Sequence, residues 1–67
     1  MATRFNLGQR VSTPYGTGII DVLPYNEQST VYIIWLDKAA VIPISKDGTT
    51  VTDRMITLDA KYLQPIN

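Results

Sequence analysis

The sequence predicts an all-β chain, a single five-stranded small barrel with a short helical or 3-10 turn before the last strand. Three observations lead there. Runs of β-branched and aromatic residues recur at short intervals, with Pro and Gly clusters between them at Pro14-Tyr15-Gly16, Pro24-Tyr25-Asn26 and Lys46-Asp47-Gly48. No amphipathic period long enough for a stable helix dominates any stretch. With 67 residues the chain has room for one small core, too little for two stacked sheets, so a set of short strands is expected to curl around a single interior.

The elements follow in order. Leu7 to Thr13 alternates, with Leu7, Gln9, Val11 and Thr13 on one side, and reads as the first strand. Pro14-Tyr15-Gly16 then reverses the chain, because proline presets φ and glycine supplies a positive φ. Thr17 to Leu23 is the second strand, and Gly18 within it marks a bulge or a place where another backbone comes close. Thr30 to Asp37 has the strongest strand propensity in the chain, and both of its faces are apolar. Tyr32, Ile34 and Leu36 form one face, while Val31, Ile33 and Trp35 form the other. Asp37-Lys38 is expected to turn the chain into a fourth strand, Ala39 to Ser45, in which Pro43 requires an edge or an outward-facing amide position.

After Lys46-Asp47-Gly48 the reading divides. Thr49 to Asp53 suits a hairpin arm or a loop, and Met55, Ile56 and Leu58 carry a further apolar segment. Asp59 caps a single turn over Ala60 to Tyr62, and Leu63 to Ile66 closes as a last short strand. The alternative makes Thr52 to Leu63 one helix, with Met55, Leu58 and Tyr62 along one side. Residues 1–6 are expected to form a short N-terminal arm and residues 7–67 the barrel domain.

Composition narrows the chemistry. Six Lys plus Arg balance six Asp plus Glu, 45% of the residues are apolar, and neither Cys nor His occurs; mean hydropathy is +0.01. Thiolate nucleophiles, disulfides, imidazole bases and the usual zinc ligands are therefore lacking in the sequence. The longest unbroken apolar run, Val31 to Leu36, is far short of a membrane span, and no signal-like segment opens the chain, so the expectation is a cytoplasmic protein without membrane association.

Gly8-Gln9-Arg10-Val11-Ser12-Thr13-Pro14-Tyr15-Gly16-Thr17-Gly18-Ile19-Ile20 resembles the opening of the SH3-like modules of Tudor, KOW and CAP-Gly type, in which a G-x-x-V strand meets a Gly-containing turn and a G-x-I/V strand. Tyr32 to Asp37 is similar to their central strand, and Asp59 to Ile66 to their closing turn and strand. The likeness spans nearly the whole chain, but its motifs describe barrel corners and core, not a ligand site. It implies an interaction module. Relatives of this kind cage methylated Lys or Arg between aromatic rings, which directs attention to Tyr15, Tyr25, Tyr32 and Trp35, with Asp21 or Asp37 as the accompanying carboxylate.

The competing readings are specific. Gly16-Thr17-Gly18 is followed by a strand instead of a helix, so barrel-corner geometry explains it better than a phosphate cradle does. Asp21, Asp37, Asp47, Asp53 and Asp59 suit turn and cap roles, and Asp47 to Asp59 lacks the spacing of a calcium loop, so neither metal nor cofactor is expected. Arg4, Arg10, Lys38, Lys46, Arg54 and Lys61 are scattered singly; a nucleic-acid reader would depend on Arg10, Lys38 and Lys46 gathering in space. The ending Leu63-Gln64-Pro65-Ile66-Asn67 is similar to that of the oligomeric type II dihydrofolate reductases. Their Val-Gln-Ile-Tyr signature is absent, its nearest counterpart being Val31-Tyr32-Ile33-Ile34.

The second apolar face of the third strand carries the functional expectation. Burying Val31, Ile33 and Trp35 is worth roughly 1.5–3 kcal/mol each, and one small interior cannot accommodate both faces. Either the segment Lys46 to Thr57 covers it, or a second copy or another protein does. The expected function is a non-catalytic protein-interaction or assembly module that binds through Tyr15, Tyr25, Trp35, Val31 and Ile33, with a protein partner or a homo-oligomer as the outcome.

Overall fold

In a computed structural model that describes residues 4–66, the chain is all-β, with five antiparallel strands in one sheet. The strands are β1 (Arg10–Thr13), β2 (Gly16–Val22), β3 (Val31–Pro43), β4 (Thr50–Asp59) and β5 (Gln64–Pro65), and their order in the sheet is β4-β3-β2-β1-β5. β4 and β5 form the two edges and share no ladder, so the sheet stays open where the sequence predicts a barrel. The reason is one of length: β5 has only two residues, enough to reach β1 but not to bridge onward to β4.

Alternation sorts the side chains. Val11, Ile20, Tyr32, Ile34, Leu36 and Ile56 lie on the inner face and are buried, and Phe5 and Leu63 close over them. Phe5 packs edge-on against Tyr32 with ring centroids 5.5 Å apart, and the Phe5 amide donates to the Tyr32 hydroxyl at 3.2 Å. That bond gives the buried phenol a partner. Of the expected arm, residues 1–3 lie outside the described residues.

Four boundaries differ from the sequence reading. The first strand begins at Arg10, because Leu7 and Gly8 occupy a turn with Gly8 at φ 80°, which leaves Leu7 exposed. The irregularity of β2 falls at Asp21, between the Ile20–Ile34 and Val22–Ile33 pairs. The expected third and fourth strands are one strand, since Asp37-Lys38 is a bulge and not a turn: four residues of β3, Leu36 to Ala39, stand opposite Arg54 alone. From Thr50 to Asp59 the segment after Gly48 is β4, which excludes the helix over Thr52 to Leu63 and joins the two short pieces into one arm. Helical spacing of Met55, Leu58 and Tyr62 loses to the longer ladder with β3, whose register runs from Val31–Asp59 to Pro43–Thr50.

Other elements follow the sequence closely. Thr13 and Gly16 pair across the two-residue loop Pro14-Tyr15, and Gly16 takes φ 124°. The Asp59 side chain accepts from the Lys61 amide at 3.1 Å and caps the 3-10 turn Ala60–Tyr62, which delivers the chain to β5. At the far end, the Ile44 amide donates to the Thr49 carbonyl at 3.0 Å. Pro43 therefore occupies the alternate position of the ladder, where its missing N–H would have faced the free edge.

Gly18 sits where β2 and β3 approach most closely. A Cβ placed there would lie 2.9 Å from Leu36 Cα and press on the Trp35 carbonyl oxygen, both main-chain atoms that cannot swing away. Gly18→Ala is expected to destabilise the fold by about 2 kcal/mol or more, measured as a fall in the urea midpoint. An unchanged midpoint would show that the β2–β3 contact is looser than described.

Candidate functional site

The outer face of the sheet is the candidate site. On β3 the outward residues are Val31, Ile33 and Trp35; register places Val22 and Thr57 beside Ile33, and Ile19 and Met55 beside Trp35. Trp35 is 40% and Met55 50% exposed, and Val22 and Val31 are exposed as well. The internal cover is not there: Lys46 to Thr57 supplies the distal turn and most of β4, within the sheet itself. Next to this stripe, Leu23, Pro24, Tyr25 and Ser29 complete a shallow apolar pocket of about 530 Å³ with Val22, Val31, Ile33 and Thr57.

Of the residues expected to bind, Val31, Ile33 and Tyr25 meet in that pocket, and Trp35 continues the same face. Tyr25 is 89% exposed at its rim. Tyr15 does not join them. It packs against the core and lines a separate crevice with Pro14, Leu58 and Tyr62. Tyr32 is core as well, so the rings considered for a cage do not converge; among the described residues the aromatic pair is Phe5 with Tyr32. The Val31 to Ile34 stretch likewise turns its tyrosine inward.

Beside Trp35 lies a polar cluster that sequence reasoning did not assemble. Asp37, in the bulge of β3, receives both Arg10 guanidinium nitrogens at 2.7 and 2.9 Å and the Thr17 hydroxyl at 2.6 Å. From β4, Arg54 donates through Nε to the Leu36 carbonyl at 3.0 Å and through its second terminal nitrogen to the Asp37 carbonyl at 3.1 Å. The same guanidinium lies 4.8 Å from the Trp35 ring centroid. Four strands thus meet at one bulge. The bonds from Arg10 and Thr17 pull the Asp37 carboxyl down to about 2, and Asp37 raises Arg10 in return.

The polar chemistry elsewhere is structural in character. Asp47 accepts from Ser45 and from the Thr49 hydroxyl and amide in the distal turn, which lowers its carboxyl to about 2. Asp59 is lowered by the Lys61 amide and the Thr30 hydroxyl. All three carboxylates are shifted toward the ionised form, opposite to what a general acid at neutral pH requires. Among the described residues no three acids gather as a metal cage would need, and no helix is long and apolar enough to cross a membrane. Of the basic residues that a nucleic-acid reader would need together, Arg10 is paired with Asp37, and Lys46 lies beyond the end of β3 in the distal turn. Lys38, Tyr15, Gly16, Thr17, Asp37 and Ala39 line an open crevice of about 340 Å³.

Comparison with family models, curated proteins and solved structures finds no match to this chain.

The clamp on Asp37 has a pH signature. Its folded carboxyl is lowered from 3.8 to about 2, so its stabilising effect is complete above about pH 4 and is lost as pH falls toward 2. Asp37→Asn is expected to lower the melting temperature at neutral pH, and its deficit relative to wild type should shrink over that window. Asp47 and Asp59 titrate in both proteins, so the difference isolates Asp37. A deficit that stays constant to pH 2 would contradict the clamp.

Proposed function

We propose that this chain is a non-catalytic assembly module built on an SH3-like meander whose sheet stays open, and that it binds protein through the outer face of that sheet. The observation that carries the reading is the apolar stripe across three adjacent strands, in which Val22, Val31, Trp35 and Met55 are exposed around a half-buried Ile33. Scattered apolar side chains are normal on any surface, whereas contiguous ones on a rigid sheet mark a contact site. Trp and Met at the centre of such a patch are residues that interfaces favour. The antiparallel meander, and the 3-10 turn that brings the last strand back to β1, support the SH3-like assignment.

A non-catalytic role fits the same observations. The chain has no His or Cys, and Asp37, Asp47 and Asp59 are engaged in holding a bulge, a turn and a cap. The Arg54 guanidinium, which borders the apolar stripe at Trp35, is committed to main-chain carbonyls and to the Trp35 ring. It stiffens the platform and shields one side of the indole.

Site-directed photo-crosslinking in intact cells tests the reading. With a photoreactive phenylalanine at position 25 or 35, the expectation is a protein adduct of discrete mass, either with another copy or with a different chain. The same probe at exposed Val51 in the distal hairpin should give none. Equal adducts from all three positions, or none from 25 and 35, would overturn it.

A further inference from the structure

We infer that Asp53 guards the free edge of β4 against pairing with the same edge of a second copy, and that it does so by holding the Met55 amide. The inference concerns the sheet edge and does not depend on the reading of the outer face.

The alternation of the ladder defines what the edge offers. The Ala60 amide donates to the Thr30 carbonyl at 2.8 Å, so Thr30 and Ala60 are a hydrogen-bonded pair. Bonded and non-bonded pairs alternate in an antiparallel ladder. Val31–Asp59, Ile33–Thr57 and Trp35–Met55 are therefore non-bonded pairs, and the main-chain N–H and C=O groups of Met55, Thr57 and Asp59 point away from β3 across the open edge. Proteins blunt such edges with charged side chains, proline or short strands. The opposite edge, β5, is two residues long and contains Pro65. Met55-Ile56-Thr57-Leu58 has neither charge nor proline.

This edge is self-complementary. A two-fold axis through Thr57 sets Thr57 opposite its counterpart and Met55 opposite Asp59 of the other copy, twice, so that all the outward groups of the three residues meet partners. In the same register Ile56 stands opposite Leu58 of the other copy on the inner face, an apolar pair that favours the contact.

Asp53 stands at the end of this segment. Its carboxylate accepts from the Arg54 amide at 2.6 Å and from the Met55 amide at 3.2 Å. The Met55 amide is one of the outward donors, so the Asp53 oxygen takes the place that a carbonyl of an incoming strand needs. The two-fold register meets this obstruction twice, once at each end, and each time a negative charge faces the incoming carbonyl oxygen.

Amide hydrogen exchange of the wild-type chain tests the hold on the edge. Relative to its intrinsic rate, the Met55 amide is expected to exchange about three-fold or more slowly than the outward amides of Thr57 and Asp59; equal protection overturns the inference. Sedimentation velocity from micromolar to millimolar concentration tests the consequence, with circular dichroism confirming that each variant is folded. Asp53→Ala is expected to dimerise about ten-fold more tightly than wild type, because two amides are freed per dimer. Asp53→Asn, whose side-chain oxygen still accepts, should stay close to wild type. Adding Thr57→Pro to Asp53→Ala should abolish the gain, since the Thr57 amide donates nothing to β3 and proline there blocks only the edge. An Asp53→Ala chain that associates no more than wild type overturns the inference, as does a gain that survives Thr57→Pro or one that Asp53→Asn reproduces. If Asp53→Ala does not fold, the exchange rates of the wild-type chain decide.

Discussion

Midway along β3 the chain leaves its ladder with β4 for four residues, and their main-chain groups need partners from elsewhere. Arg54 supplies two of them, to the carbonyls of Leu36 and Asp37. The Asp37 side chain, turned the other way, is held by Arg10 from β1 and Thr17 from β2. A bulge that was free to slip would shift the register of a doubly apolar strand, and a slip of one residue exchanges its two faces. Holding the bulge in place therefore keeps Tyr32, Ile34 and Leu36 inside and Val31, Ile33 and Trp35 outside.

The same bulge divides the molecule. On one side of it β3 lies between β2 and β4, and the sheet is broad enough to present a flat apolar surface. On the other side only the two-stranded arm of Ala40–Pro43 and Thr50–Asp53 continues, tied off by Asp47 in its turn. Arg54 belongs to both parts. It holds the bulge through the main chain and stacks against Trp35, so the residue that maintains register also borders the proposed contact surface.

Much of this was legible in the residues. Pro14-Tyr15-Gly16 forces a reversal, Gly18 answers to a backbone contact with β3, Asp59 caps its turn, and the two faces of Thr30 to Asp37 separate as alternation requires. The errors share one cause. Asp37-Lys38 has turn composition and Leu7-Gly8 has strand spacing, but a turn and a bulge draw on the same small and polar residues. Which one forms depends on whether the flanking segments pair with each other or with a third strand. Tyr15 lies apart from Tyr25 and Trp35 for a related reason: a tyrosine at a hairpin loop can fold toward either face, and here it packs beside Leu58 and Tyr62, neighbours remote in sequence.

The sequence by itself determined an all-β chain, the inward face of its strongest strand, and a strand with one apolar face too many, because strand propensity and two-residue alternation are local properties of the covalent chain. Only the tertiary structure decided that the sheet remains open, that β3 runs unbroken through a bulge, and that no segment of the described chain folds over Val31, Ile33 and Trp35. Those outcomes depend on which strands find one another across 20 or more residues. An example is the meeting of Arg10 with Asp37, 27 positions away, a pairing that no local pattern encodes.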